Sequence, residues 1–187
     1  MNLLQEVAVE YAKLFENNYL YTLKNGAAVE VYFAAQNFHH LIGLQKLKDV
    51  DVVMLINGNN TGRVFKNIIE GRITFADIKK SIYFDEIEGR LRHFNQISRI
   101  IEFEKIIVNF NQSLLPSTRI PADYILYKRS NDNQFLNLFL KKDKPKNIYV
   151  PLTFIPHIND YYINGQEVID IISVDVRPSN IRHNKGS

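Results

Sequence analysis

The sequence has no cysteine and no tryptophan, and only 2 methionines and 8 glycines among its 187 residues. Without cysteine there is no disulfide scaffold, no cysteine-ligated zinc, no iron–sulfur cluster and no thiol catalysis. Long apolar runs are also missing, since nothing approaches the roughly 18 consecutive apolar residues of a membrane span. Glu6 and Glu10 fall where a signal peptide needs an unbroken apolar stretch. A cytoplasmic protein with no membrane partner is expected. An excess of one charge is absent too, with 23 Lys+Arg against 20 Asp+Glu and a formal net charge of +3. That total announces no nucleic-acid binder, so such a reading depends on where the charges lie.

What is present is an ordinary folded composition, 45% hydrophobic and 23% charged, long enough for a sizeable core. The first two dozen residues read as a helix, with Leu3, Leu4, Val7, Ala8, Tyr11, Leu14 and Phe15 in one stripe and Asn25-Gly26 as its end. A short strand follows over Ala28–Ala34. Residues 61–100 form a helical block: Thr61 caps one helix, Thr74 and Asp77 have capping-box spacing, and Asp85 with Glu88 opens a third. In that third piece Ile87, Leu91, Phe94 and Ile101 share a face, and Arg90, Arg92 and Arg99 read as its solvated side. From residue 104 the period becomes two, giving strands at Lys105–Phe110, Asp123–Arg129, Phe135–Lys142, Ile148–Phe154 and Glu167–Val176. Ser130-Asn131-Asp132-Asn133 joins the second to the third and Asp143-Lys144-Pro145-Lys146-Asn147 the third to the fourth, and connectors this short imply hairpins and an antiparallel meander. The expected fold class is α+β, with N-terminal helices packed on an antiparallel sheet of four to five strands. One domain spans 1–177, and 178–187 form a polar tail.

Alternation sorts the sheet residues by face. Leu136, Leu138 and Leu140 are expected on the helices, together with Ile148, Val150, Leu152 and Phe154. Asn137, Phe139, Lys141, Tyr149 and Thr153 then share the opposite face. Rings that stack on bases and cations that meet phosphates suit single-stranded nucleic acid. The charge distribution agrees: Lys128, Arg129, Lys141, Lys142, Lys144 and Lys146 face only Asp132 and Asp143 within residues 128–146. The plainer explanation is lysine on hairpin ends that blocks aggregation.

His39-His40 supplies the residue type best matched to proton transfer near neutral pH, though capping or surface histidines are the plainer reading. His93, His157 and His183 lack paired ligand spacing, so no metal and no cofactor is expected. Gly58-Asn59-Asn60-Thr61-Gly62-Arg63 lacks the Gly-Lys-Ser/Thr of a phosphate loop. Asp85, Glu86 and Glu88 are helix-start acids that favour the dipole.

Three stretches carry a family likeness. Asn37-Phe38-His39-His40-Leu41-Ile42-Gly43 resembles an "NFxHLxG" segment, and Phe139-Leu140-Lys141-Lys142 and Pro151-Leu152-Thr153-Phe154 resemble later strand motifs in the same order. The family is the fourth phage Barnase–EndoU–colicin–RelE-like group of small metal-independent ribonucleases and toxins. The resemblance implies N-terminal helices on a central antiparallel sheet whose other face binds RNA. It matches His40 to the motif histidine, with His39 unassigned, Lys141 to a strand lysine and Thr153 to a hydroxyl residue. Lys128 or Arg129 is a further cation, with one residue of register deciding between them. The expected activity is a metal-independent endoribonuclease, a toxin or defence effector of a phage or mobile element, cleaving RNA through 2′-hydroxyl attack. Lys128, Arg129, Asn137, Phe139, Lys142 and Tyr149 would contact the RNA, and a cognate antitoxin or immunity protein is a further expected partner. The alternatives are a catalytically inactive RNA-binding module on the same fold, or a protein-interaction protein such as an antitoxin or phage inhibitor.

Overall fold

The computed structural model describes residues 1–50, 61–101 and 106–179. Gly58-Asn59-Asn60, Lys105 and the tail from residue 180, with His183, lie outside them. The first helix, α1 (Leu3–Ala12), opens at Asn2, whose side chain and that of Gln5 form a reciprocal capping box. It buries Leu4, Val7, Ala8 and Tyr11, and the Tyr11 hydroxyl donates to the Ala34 carbonyl at 3.1 Å.

The helix is half the expected length. Asn17–Leu23 is instead a strand, β1, on which Tyr19, Tyr21 and Leu23 alternate inward. Period two and β-prone tyrosines override the weaker helical stripe there. Gly26, at φ +84°, makes the turn into β2 (Ala28–Tyr32) and does not end a helix.

The later strands follow the alternation: β3 (Ile106–Asn109), β4 (Tyr124–Arg129), β5 (Phe135–Asp143), β6 (Ile148–His157) and β7 (Glu167–Pro178). Their assembly corrects the expected fold class. Among the described residues seven strands close into a barrel in the order β1-β2-β6-β5-β4-β3-β7, not an open antiparallel sheet of four or five strands. Closure needs both N-terminal strands: β1 pairs antiparallel with β7 along its whole length, and β2 meets β6 in parallel at Val31 and Tyr149. Closing the ring removes the edges that an open sheet would expose.

Among the described residues the remaining helices are α2 (Phe38–Leu41), α3 (Thr61–Ile69), α4 (Phe75–Lys79), α5 (Asp85–His93) and α6 (Ile97–Ile101). Thr74 and Asp77 form the expected capping box. The largest apolar cluster unites Tyr11, Phe38, Ile87, Leu91 and Phe94 with inward strand residues such as Tyr21, Val31, Leu126, Leu138 and Phe154.

A β-bulge redistributes the residues of β6. Phe139 faces Thr153 and Leu140 faces Pro151, so Leu152 is the extra residue, and the phase of β6 reverses there. Ile148 and Val150 consequently pack with Tyr32 and Ala34, and Leu152 joins a second cluster. Of the four expected to face the helices, only Phe154 does. That second cluster holds Val108, Phe110, Leu115, Ile125, Phe139 and Ile163, roofed by the connectors around Phe110–Ala122 and Tyr161–Ile163. The sheet face expected to meet RNA is therefore largely covered by the protein's own chain.

Candidate functional site

The barrel has its shortest ladder where β2 and β6 are registered at the single pair Val31 and Tyr149. After β2 the chain passes through a 3-10 turn, Ala35–Asn37, into α2, which lies against β6. The Asn37–Gly43 motif therefore occupies the splayed seam. Phe38, Leu41 and Ile42 are fully buried and fix the orientation of α2, which leaves His39 turned inward and His40 exposed.

The two imidazoles differ in environment although their ring centres are 3.8 Å apart. His39 Nδ1 lies 2.8 Å from the Gln36 carbonyl, which only accepts, so Nδ1 carries the proton and Nε2 the lone pair. Burial, then the neighbouring His40, holds the His39 pKa down to about 4. The His40 pKa is also lowered, by burial of part of its ring, against an opposing influence from Gln45. Both imidazoles are neutral near pH 7.

Arg90, on α5, is 8% exposed. Its Nη1 donates to Thr153 Oγ1 at 2.9 Å and makes a long 3.5 Å contact to the His40 carbonyl. Among the described residues no carboxylate lies within ion-pairing distance of it, and burial lowers its pKa. Glu86, ion-paired to Lys46, and Tyr162 oppose that shift only in part, and a buried guanidinium hydrogen-bonded to neutral oxygens is costly. It retains capacity for an anion, and its fork geometry suits phosphate.

Gly43 makes this approach possible. It adopts φ +83°, and a Cβ there would stand 2.8 Å from Ile87 Cγ2 and 3.3 Å from Arg90 Cδ. The motif glycine thus admits the arginine of another helix.

Arg90 joins the Thr153 hydroxyl to the main-chain carbonyl of His40, and the His39 and His40 rings adjoin each other. Lys141 stands apart from them. Its cross-strand neighbour is Val150, on the other side of the bulge from Thr153, and its Nζ lies 3.3 Å from Asp123 Oδ1. Lys141 and Thr153 do share a sheet face, Lys141 lying two residues beyond Phe139, the partner of Thr153, or roughly 7 Å along the strand at 3.3 Å per residue. Phe139 and Asn137 are fully buried. The Asn137 amide donates to the Phe135 and Ile155 carbonyls, both at 3.0 Å. Tyr149 packs against Tyr124 and the main cluster, with Lys142 Nζ 5.7 Å from its ring centre. The register also separates Lys128 from Arg129: Arg129 pairs with Phe135, on the face of Thr153, and Lys128 pairs with Leu136, on the opposite one.

Another polar pair lies away from the seam. His93 Nε2 meets Asp132 at 2.9 Å, and Asp132, held down to about 2 by the Ser130 hydroxyl and then His93, lines an open groove of about 740 Å³. Among the described residues no three histidine, aspartate or glutamate side chains cluster as metal ligands, and no helix is long and apolar enough to cross a membrane.

A family model described as phage-Barnase-EndoU-ColicinE5/D-RelE like nuclease4 matches residues 3–180. The chain belongs to this nuclease family. No curated protein and no solved structure matches it. Membership supports a nuclease function and a nucleic-acid substrate in general.

Within the family segment, the residue that sequence reasoning missed is Arg90, read as part of a solvated face with Arg92 and Arg99. Arg92 is solvated, pairing with Glu88 at 2.8 Å. A signal for Arg90 was present: it lies three residues after Ile87 and four before Phe94, within the buried stripe of its own helix.

Proposed function

We propose that the protein is a metal-independent endoribonuclease whose reacting centre is the splayed seam between β2 and β6. The observation that carries this reading is the buried Arg90 guanidinium, ion-paired to no carboxylate among the described residues, hydrogen-bonded to Thr153 and in contact with the main-chain carbonyl of His40 in the motif. The scissile phosphate binds to Arg90, with the Thr153 hydroxyl fixing its orientation. His40, neutral and open to solvent, takes the proton of the RNA 2′-hydroxyl as that oxygen attacks phosphorus. The P–O5′ bond breaks, the departing 5′-oxygen takes a proton from solvent, and the products are a 2′,3′-cyclic phosphate and a 5′-hydroxyl end. Arg90 stabilises the charge that grows on the phosphoryl oxygens, where a preorganised donor is most effective. His39 donates to Gln36 and holds the helical turn on which His40 is mounted. Lys141, with Arg129 on the same sheet face, acts on the RNA backbone outside the reacting centre. A toxin or defence role fits this chemistry.

Arg90→Met tests the assignment, because it removes the charge but keeps a long apolar side chain. Cleavage of RNA should fall roughly 10²–10³-fold, as for loss of one transition-state donor. The melting temperature should hold or rise, since an unpaired buried charge is removed. Retained cleavage with a destabilised fold would show Arg90 to be a structural residue and would overturn the mechanism.

A further inference from the structure

Past Thr153, β6 ends in a group of rings that neither the core nor the proposed chemistry uses fully. His157, Tyr161 and Tyr162 are half-buried and touch one another. The His157 and Tyr161 rings stack at 5.5 Å and 30°, and Tyr162 meets both edge-on at 5.4 and 5.0 Å. Their orientations are fixed from below and from the side. Tyr162 stands at 88° on buried Phe139, 5.2 Å between centres, and the Tyr161 hydroxyl lies 2.6 Å from Ser117 Oγ. Ile158, beside them, is 79% exposed.

This shelf is continuous with the anion site at one end and with a cation at the other. Tyr162 packs on Phe139, whose cross-strand partner is Thr153, and Thr153 in turn accepts from Arg90 at 2.9 Å. His157 pairs across the sheet with Phe135, which pairs in turn with Arg129, and the Arg129 guanidinium sits 5.0 Å from the Phe135 ring centre. Phosphate-binding cation, fixed aromatic faces and second cation follow one another along one surface, the order in which a single strand presents phosphate, base and phosphate.

We infer that His157, Tyr161 and Tyr162 form a nucleobase subsite that stacks the unpaired base next to the phosphate held at Arg90. The inference rests on the ribonuclease reading above and adds to it a preference for single-stranded substrate, because a paired base must first be unpaired and flipped out of its helix to stack there. The chemistry at Arg90 reads the phosphate, and the shelf reads the absence of pairing.

The test uses a 2′-O-methyl RNA oligonucleotide, which cannot be cleaved through its 2′-oxygen, with 2-aminopurine as the reporting base. Binding to the wild-type protein should quench the fluorescence of the single strand and leave that of its duplex unchanged. A His157→Leu/Tyr161→Leu variant should bind roughly tenfold or more weakly and without quenching, as expected for loss of base–aromatic stacking. Tyr161→Phe should retain both. Replacing the reporter by an abasic residue and measuring competition should lower affinity for the wild-type protein to a similar degree, which makes the test independent of how the double variant folds. Unchanged quenching in a folded double variant, or unchanged affinity for the abasic strand, overturns the subsite. Cleavage of total RNA in EDTA is measured alongside. Cleavage without stacking defeats the subsite alone, and stacking without cleavage defeats the ribonuclease reading alone.

Discussion

Gly43→Ala perturbs the site through one methyl group. The backbone at Gly43 has φ +83°, and the new Cβ would lie 2.8 Å from Ile87 Cγ2, 3.3 Å from Arg90 Cδ and 3.4 Å from Arg90 Nε. The left-handed conformation alone costs an L-residue about 1–2 kcal/mol. Forcing α5 away from the motif adds about 1–3 kcal/mol of overpacking. Gly26→Ala is the internal control, because Gly26 has φ +84° with nothing within 4 Å of a Cβ and therefore carries only the backbone part. Urea denaturation of both variants should show Gly43→Ala to be the more destabilised by about 1–3 kcal/mol. The Arg90 side chain must also shift to accommodate the methyl, so RNA cleavage by folded Gly43→Ala should fall about tenfold or more, given how steeply rate depends on placement. Equal destabilisation of the two variants, with activity intact in Gly43→Ala, would refute the claim that the motif glycine exists to admit Arg90.

Acid sensitivity follows from His39. Its folded pKa of about 4 lies below the ordinary 6.5, so the unfolded chain binds protons more readily between those values. Stability should be full above pH 6.5 and decline by up to about 3 kcal/mol as pH falls to about 4. His39→Asn should flatten that slope in denaturation curves, and an unchanged slope would assign the acid loss elsewhere. Phe139→Ala should cost about 3–5 kcal/mol as a cavity in the second cluster; a variant as stable as the wild type in urea would contradict the packing of this ring beneath the connectors.

Much of the framework was legible because its signals are local. The five later strands show alternation, and the turn formers between β4 and β5 and between β5 and β6 fix two hairpins. Closure of the barrel was not, since it depends on β1 being a strand and on a parallel contact between Val31 and Tyr149, 118 positions apart in the chain. The covered sheet face was hidden for a related reason. Alternation separates two faces but does not say which carries a second apolar layer, and Phe139 and Asn137 lie beneath connectors that read as loops. One inserted residue, Leu152, reversed the phase of β6 and moved Ile148 and Val150 off the helical side. In the candidate site the motif histidines and Thr153 could be read from the sequence, whereas Arg90 comes from a different helix and was masked by two solvated arginines. Its place inside an apolar stripe is the trace that such residues leave.

The central claim is that RNA is cleaved at this seam without a metal ion, by attack of its own 2′-hydroxyl. Incubating purified wild-type protein with RNA in EDTA, and analysing the new ends, tests it most directly. The expected result is 2′,3′-cyclic phosphate and 5′-hydroxyl ends, no cutting of DNA, and a loss of roughly 10²–10⁴-fold in His40→Ala with RNA affinity nearly retained. Equal cleavage of DNA, or activity abolished by EDTA, would contradict it.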